Sequence, residues 1–400
     1  MPQSPALAGC GVGALTGALR AAGVRGMGGP IDEAEVFASL GGIGFHYRVG
    51  GHTPTARVLL DGTAAGLDTR TEHVVRTVQR LGARAELRAW ADEGALAAWL
   101  AANASAATPV VTWLDRGSVP YDPLPRGYQR AFAHPVLVVG ADADEVRLVD
   151  RSLAIVSVDW LRLRVSWSQC TIEPPTTLRV LGGAVRGEAG PALVAEALAD
   201  GLRRLLDTPI GGSGVAGIRT LASRIRAPGR PSGWRWVFPR GAALLNAHAA
   251  LYRFVEEGAG VGLGRARFAD ALQTLGESTG RPALVAHATR WRERAAAWSA
   301  VAVEALPEDI PALYEVRLLL AARARAWRAE GLGASALLGE ISRRLAEITR
   351  QSEVDFPVDP PTLAFRHAAL ATSVAKLADA EAELGQGTLS ELVRAPLAQF

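Results

Sequence analysis

Ala133-His134-Pro135-Val136-Leu137-Val138-Val139-Gly140 is an apolar run that opens on an imidazole and stops at a glycine. Its length and its valines predict a buried strand. The acidic stretch Ala141–Glu145 predicts a turn, and Val146–Asp150 the hairpin partner. Sixteen positions separate His134 from Asp150, so the hairpin returns both to one edge of the sheet. A histidine at a strand start is fixed by the packed backbone and can still face a cleft.

Working outward, Pro109–Leu114, Leu153–Val158 and Thr177–Val180 supply further strands. Helices precede them. Val12, Leu15, Leu19 and Ala22 recur at helical spacing from Cys10, and Gly23 ends the pattern. Pro30 opens a second helix, Asp32 to Leu40, followed by the turn Gly41-Gly42-Ile43-Gly44. Thr71–Leu81 and Asp92–Asn103 are the third and fourth. Helices followed by an antiparallel sheet define an α+β domain. Beyond the glycine-rich Leu181–Pro191 the pattern turns helical: 192–206, 214–226, 241–255, 267–275, 282–305, 310–330, 335–351 and 362–384. At ~100–200 residues per domain, 400 residues divide into an α+β domain over 1–180 and a helical domain over 190–400.

Composition narrows the function. An apolar fraction of 49% with 21% charged residues belongs to a globular chain. Lys+Arg 43 against Asp+Glu 40 leaves +3, and no block of five basic residues occurs, so nucleic acid is not expected as a ligand. Lys376 is the only lysine and lies in a helical pattern, which argues against Schiff-base chemistry and a Walker-type phosphate loop. Two cysteines, Cys10 and Cys170, make neither a disulfide framework nor a Cys-based zinc site, and no metal is expected. Without a secretory signal or a long uncharged apolar stretch, the expected setting is cytoplasmic, with no membrane partner.

Cys10 sits between Gly9 and Gly11 at the start of a helix. Unpaired N–H groups and the dipole there favour a thiolate, the nucleophilic form. The alternative is a buried thiol acting as a small hydrophobe. A nucleophile needs a base. His134 is the first candidate and His46, after the glycine turn, the second; His73, His248, His287 and His367 lie on helical patterns. Asp150 is placed to orient His134. Gly258–Gly264 resembles a nucleotide loop only superficially, because it follows a helix and no strand precedes it. It is expected to pack closely on the first domain. Trp291 and Trp298, seven apart, read as core, whereas Trp234 and Trp236 flank a loop.

Taken in order, these segments resemble the butirosin biosynthesis protein H family. The matching residues are Cys10-Gly11-Val12-Gly13-Ala14-Leu15, Gly23, Glu35-Val36-Phe37, Leu40–Phe45 with Tyr47, and Pro109-Val110-Val111 to Asp115 with Pro120-Tyr121. The His134 and Asp150 strands follow, then Glu256–Gly262 with Arg265 and Phe268. Pro135 and Arg151 depart from the family pattern. The resemblance implies a papain-like cysteine fold with an antiparallel sheet, followed by the all-helical domain usual in this family. It implies an acyltransferase of antibiotic and other secondary-metabolite biosynthesis. Such an enzyme takes an acyl or aminoacyl group from an acyl carrier protein, where a phosphopantetheine arm holds it as a thioester, and delivers it to a small-molecule amine. No cofactor of its own is implied. Cys10 would be the nucleophile, His134 the base and Asp150 its orienter; Asp115, Tyr121 and Arg265 would bind substrate, Arg265 through an anionic group. The Cys10 N–H would hold the oxyanion, and Gln3 is the nearest upstream amide. A cysteine peptidase or amidase with the same triad, or a non-catalytic binding protein of this fold, are the alternatives.

Overall fold

Helix α1 (Cys10–Ala21) leads into a two-residue hairpin, β1 (Arg25–Gly26) and β2 (Gly29–Pro30), and then α2 (Glu33–Ser39). Asp32 and Glu35 form a capping box at α2: the Glu35 N–H donates to Asp32 at 2.8 Å, and the Asp32 N–H donates to the Glu35 carboxylate at 3.1 Å. Strands β3 (Ile43–Gly50) and β4 (Arg57–Thr63) make a second hairpin. There follow α3 (Thr71–Arg80), β5 (Arg84–Ala89), α4 (Glu93–Asn103), β6 (Val110–Asp115), β7 (Ala133–Ala141), β8 (Glu145–Val149), β9 (Ile155–Asp159), α5 (Trp160–Ser168) and β10 (Thr176–Leu181). The computed structural model describes residues 10–394 except 28, 51–55, 65–70, 116–117, 120, 122–123, 126–132, 151–154, 171, 173, 183–189, 208–210, 228–231 and 259; the side chains of Cys10 and Glu72 also lie outside the described set.

Six strands form one antiparallel sheet in the order β5-β10-β6-β7-β8-β9. Alternation along β6 and β7 sends Val111, Trp113 and Leu137 to one face and Val110, Leu114, Val136 and Val138 to the other. Helix α1 covers the first face: a Cβ on Gly17 would lie 2.7 Å from the end of the Leu137 side chain, so glycine lets the helix approach the strand without that side chain shifting. Leu96 and Leu100 of α4 and Leu163 and Trp167 of α5 cover the second. The chain is thus α+β before residue 182 and helical after it.

The helical part comprises α6 (Gly190–Asp207), α7 (Gly214–Arg226), α8 (Trp234–Val237) and α9 (Ala242–Arg253), a π-helical turn at Phe254–Gly258, then α10 (Arg265–Ser278), α11 (Pro282–Ala305) and α12 (Pro311–Glu330). A 3-10 turn at Gly331–Ala334 leads to α13 (Ser335–Val354) and α14 (Pro360–Val393). One buried core runs without interruption from Val12 to Leu392, so the two parts share their interior. The β3–β4 hairpin carries much of that sharing. The Trp234 indole donates to the Tyr47 hydroxyl at 3.1 Å, and Phe45 stacks on Trp298 at 5.7 Å.

A buried histidine pair sits in the helical part. His248 Nδ1 lies 2.8 Å from the Ala305 carbonyl and His248 Nε2 lies 3.1 Å from His367 Nε2. A carbonyl only accepts, so Nδ1 of His248 carries its proton and the Nε2–H of His367 donates to His248. Burial, and then the neighbouring His367, push His248 down to about 3; burial pushes His367 down to about 4. Both values lie below the ordinary 6.5. The unfolded chain therefore binds protons that the folded pair refuses, and stability present above that value is lost as pH falls from it through the folded values. The urea midpoint should drop between about pH 7 and about pH 4.5 more steeply in the wild type than in a His248→Leu/His367→Leu variant. Equal slopes would remove the pair as the cause.

Candidate active site

His134 is the second residue of β7 and pairs with Leu114 of β6. Asp150 directly follows β8. Their side chains are wholly buried, and His134 Nε2 lies 2.9 Å from Asp150 Oδ1. An ionised carboxylate only accepts, so in the neutral ring Nε2 carries the proton. The lone pair is then on Nδ1, the nitrogen turned away from Asp150. That is the arrangement of an imidazole held in one tautomer for proton transfer. Pro135 lies beyond the β7–β8 ladder, which starts at Leu137↔Val149, so its missing N–H removes no bond from that ladder.

The first turn of α1 lies at the same end of β7. A Cβ on Gly11 would stand 3.3 Å from Pro135 Cγ, so the residue after Cys10 touches the residue after His134. The Cys10 thiol itself is outside the described residues, as is Gln3. Pro135 and Leu137 face α1, whereas His134 shares its face with Val136 and Val138. The start of α1 and the His134 side chain thus belong to opposite faces of β7. His134 stands three residues before the first β7–β8 pair, Leu137↔Val149, at the open end of that ladder.

The remaining expected site residues take varied positions. Asp115 ends β6 opposite Ala133 and is 8% exposed; its carboxylate accepts from the Ser118 hydroxyl at 2.7 Å. Tyr121 is buried against Trp327. Arg265 is corrected from a substrate contact to an internal one. It is 0% exposed, and its Nε and Nη2 donate to Glu381 at 2.8 and 2.7 Å. Its Nη1 donates to the carbonyls of Gly44 and Leu263, each at 2.9 Å. Such a guanidinium has its donors engaged inside the protein and presents none to a ligand. The turn that precedes it does pack on the N-terminal part, but on the β3–β4 hairpin: a Cβ on Gly62 would fall 2.0 Å from the Leu263 carbonyl oxygen. His46 is on β3 and bonds Ser213 through Nδ1 at 3.0 Å. Trp234, read as flanking a loop, is 0% exposed.

Sequence reading missed Trp327, which reaches this site from α12, 177 residues beyond the residue it contacts. A tryptophan on an amphipathic helix carries no local signal of a distant partner. Among the described residues no helix is long and apolar enough to cross a membrane.

Two family models match the chain. Residues 9–151 match the family model described as butirosin biosynthesis protein H, N-terminal. Residues 186–332 match a domain of unknown function, DUF4872. The chain belongs to the butirosin biosynthesis protein H-like family, with that N-terminal domain followed by a helical one. No curated protein matches the chain.

Proposed function

We propose that the protein is a cysteine-dependent acyltransferase of natural-product biosynthesis. The observation that carries this reading is the wholly buried His134–Asp150 pair at 2.9 Å, beside the helix end that bears Cys10. Cys10 Sγ attacks the carbonyl of an acyl thioester, and its proton passes to His134 Nδ1. The C–S bond to the donor breaks, and the departing thiolate takes that proton. A primary amine then attacks the Cys10 thioester. His134 accepts the amine proton and returns it to the Cys10 sulfur as the amide forms. The backbone N–H groups of the first turn of α1 are the donors for the oxyanion. The family supports a place in antibiotic assembly. The donor is an acyl or aminoacyl group on the phosphopantetheine arm of an acyl carrier protein, and the acceptor a small-molecule amine. The setting is cytoplasmic.

Alkylation tests the site directly. Cys170 is 3% exposed and serves as an internal control. Iodoacetamide at neutral pH should label Cys10 and leave Cys170 unmodified in the native protein. His134→Ala should slow that labelling on the order of 10²-fold, and Asp150→Asn less, because it disturbs orientation without removing the base. Equal labelling rates in wild type and His134→Ala would end the proposal that this imidazole activates the thiol.

A further inference from the structure

Asp150 is held from behind by the helical part of the chain. The Trp327 indole Nε1–H donates to the Asp150 backbone carbonyl at 3.3 Å. The ring of Trp327 lies on Tyr121, with centroids 5.7 Å apart and planes 19° apart. Trp327 is 2% exposed and Tyr121 6%. Around them Ala326, Ala334 and Leu338 join Val136, Val138 and Leu148 in one core. The α12–α13 corner thus packs, beside α4 and α5, on the sheet face that carries His134.

The position of Asp150 makes this contact consequential. The β7–β8 ladder runs from Ala141↔Val146 to Leu137↔Val149 and stops before Asp150. The strand register therefore does not extend to the residue whose carboxylate must face His134. A hydrogen bond to its carbonyl restrains the peptide plane that follows it, and with it the direction of the side chain. Hydrogen bonds weaken steeply with misalignment, so a small rotation there would loosen the 2.9 Å contact with the imidazole.

We propose that Trp327 is a positioning residue of the His134–Asp150 pair, so that α12 of the helical part sets the geometry of the base in the N-terminal part. This rests on the reading of His134 as the base for Cys10. Trp327 touches neither substrate nor thiol in this account; it acts through Asp150. Tyr121 has a matching part, as the surface on which the indole is laid flat.

The test is the pH dependence of Cys10 alkylation by iodoacetamide, in the full chain, for wild type, His134→Ala and Trp327→Phe. Phenylalanine keeps an aromatic ring against Tyr121 and deletes the N–H. The wild type should show a low-pH limb that His134→Ala loses. Trp327→Phe should shift that limb upward, with labelling near pH 6 slowed ~3- to 10-fold, the size expected for one hydrogen bond. Its circular dichroism should remain that of the wild type. Should Trp327→Phe fail to fold, Tyr121→Leu, which keeps the N–H and removes its support, should shift the limb the same way by less. A limb that is lost in His134→Ala and stays at the wild-type position in the folded Trp327→Phe overturns this inference and leaves the dyad reading standing. A limb unmoved in His134→Ala overturns the dyad reading, and this inference with it.

Discussion

Cys10→Ala should lose acyl transfer on the order of 10³-fold or more while unfolding at nearly the wild-type temperature. The two halves of that expectation have separate causes. Covalent catalysis divides one difficult step into two easier ones, and alanine has no atom that can form the intermediate. Residual turnover would come only from bound reactants meeting directly. Stability, by contrast, is expected not to depend on the thiol. The neighbouring Gly11 packs against Pro135, and this contact uses backbone rather than thiol. Single-turnover assays with a radiolabelled acyl thioester, together with thermal melts, check both halves. Full turnover by Cys10→Ala would remove the covalent step.

The second large effect concerns folding. Glu381→Ala should destabilise the protein by about 3–5 kcal/mol, as expected when one partner of a buried ion pair is removed. Arg265 and Glu381 are both 0% exposed, and Trp298 also donates to Glu381, at 2.7 Å. Deleting the carboxylate leaves a buried guanidinium without its paired counter-charge. The Arg265→Met/Glu381→Leu double variant removes both charges and should lose less, because well-packed apolar groups replace a pair with a high desolvation penalty. Urea denaturation midpoints measure the difference. If the single and double variants fall equally, the electrostatic account of this core is wrong. The effect should reach both parts of the chain, since Arg265 also binds the Gly44 carbonyl ahead of the β3–β4 hairpin's main ladder.

Elements with strong periodicity were legible in the sequence. The reading placed α11 at 282–305, where the helix is Pro282–Ala305, and β7 at 133–140, where the strand is Ala133–Ala141. Pro282 at the start of α11 and the valine-rich run in β7 explain why. The strands it missed show what hides a strand. Residues 84–89 (Arg-Ala-Glu-Leu-Arg-Ala) consist of good helix formers, yet they pair along β10 as the edge strand β5, largely exposed. Tertiary pairing overrode local propensity there. In β3 the alternation was present: Ile43, Phe45 and Tyr47 point inward. The glycines at 41 and 42, with φ of 94° and 66°, marked a turn, and the turn drew the reading away from the strand after it. Gly385 sits inside α14 where a stop was expected; a Cβ there would meet Leu206 at 3.1 Å, so close helix packing explains it.

At the site, the His134–Asp150 contact followed from hairpin arithmetic, because a turn of known place returns both strand ends to one edge. Arg265 did not follow. A sequence shows a charge and cannot show the buried Glu381, 116 residues away, that neutralises it. Trp327 lay beyond reach for the same reason: its partner is fixed only by packing of the helical part onto the sheet.

The most direct test is intact-mass analysis of the wild-type chain incubated with a short acyl thioester of pantetheine. The account predicts one acyl group on Cys10 and none on Cys170. It predicts that a primary amine removes this group as an amide, faster than water does. No adduct on Cys10, an adduct of equal extent in Cys10→Ala, or loss at the same rate without the amine would contradict it.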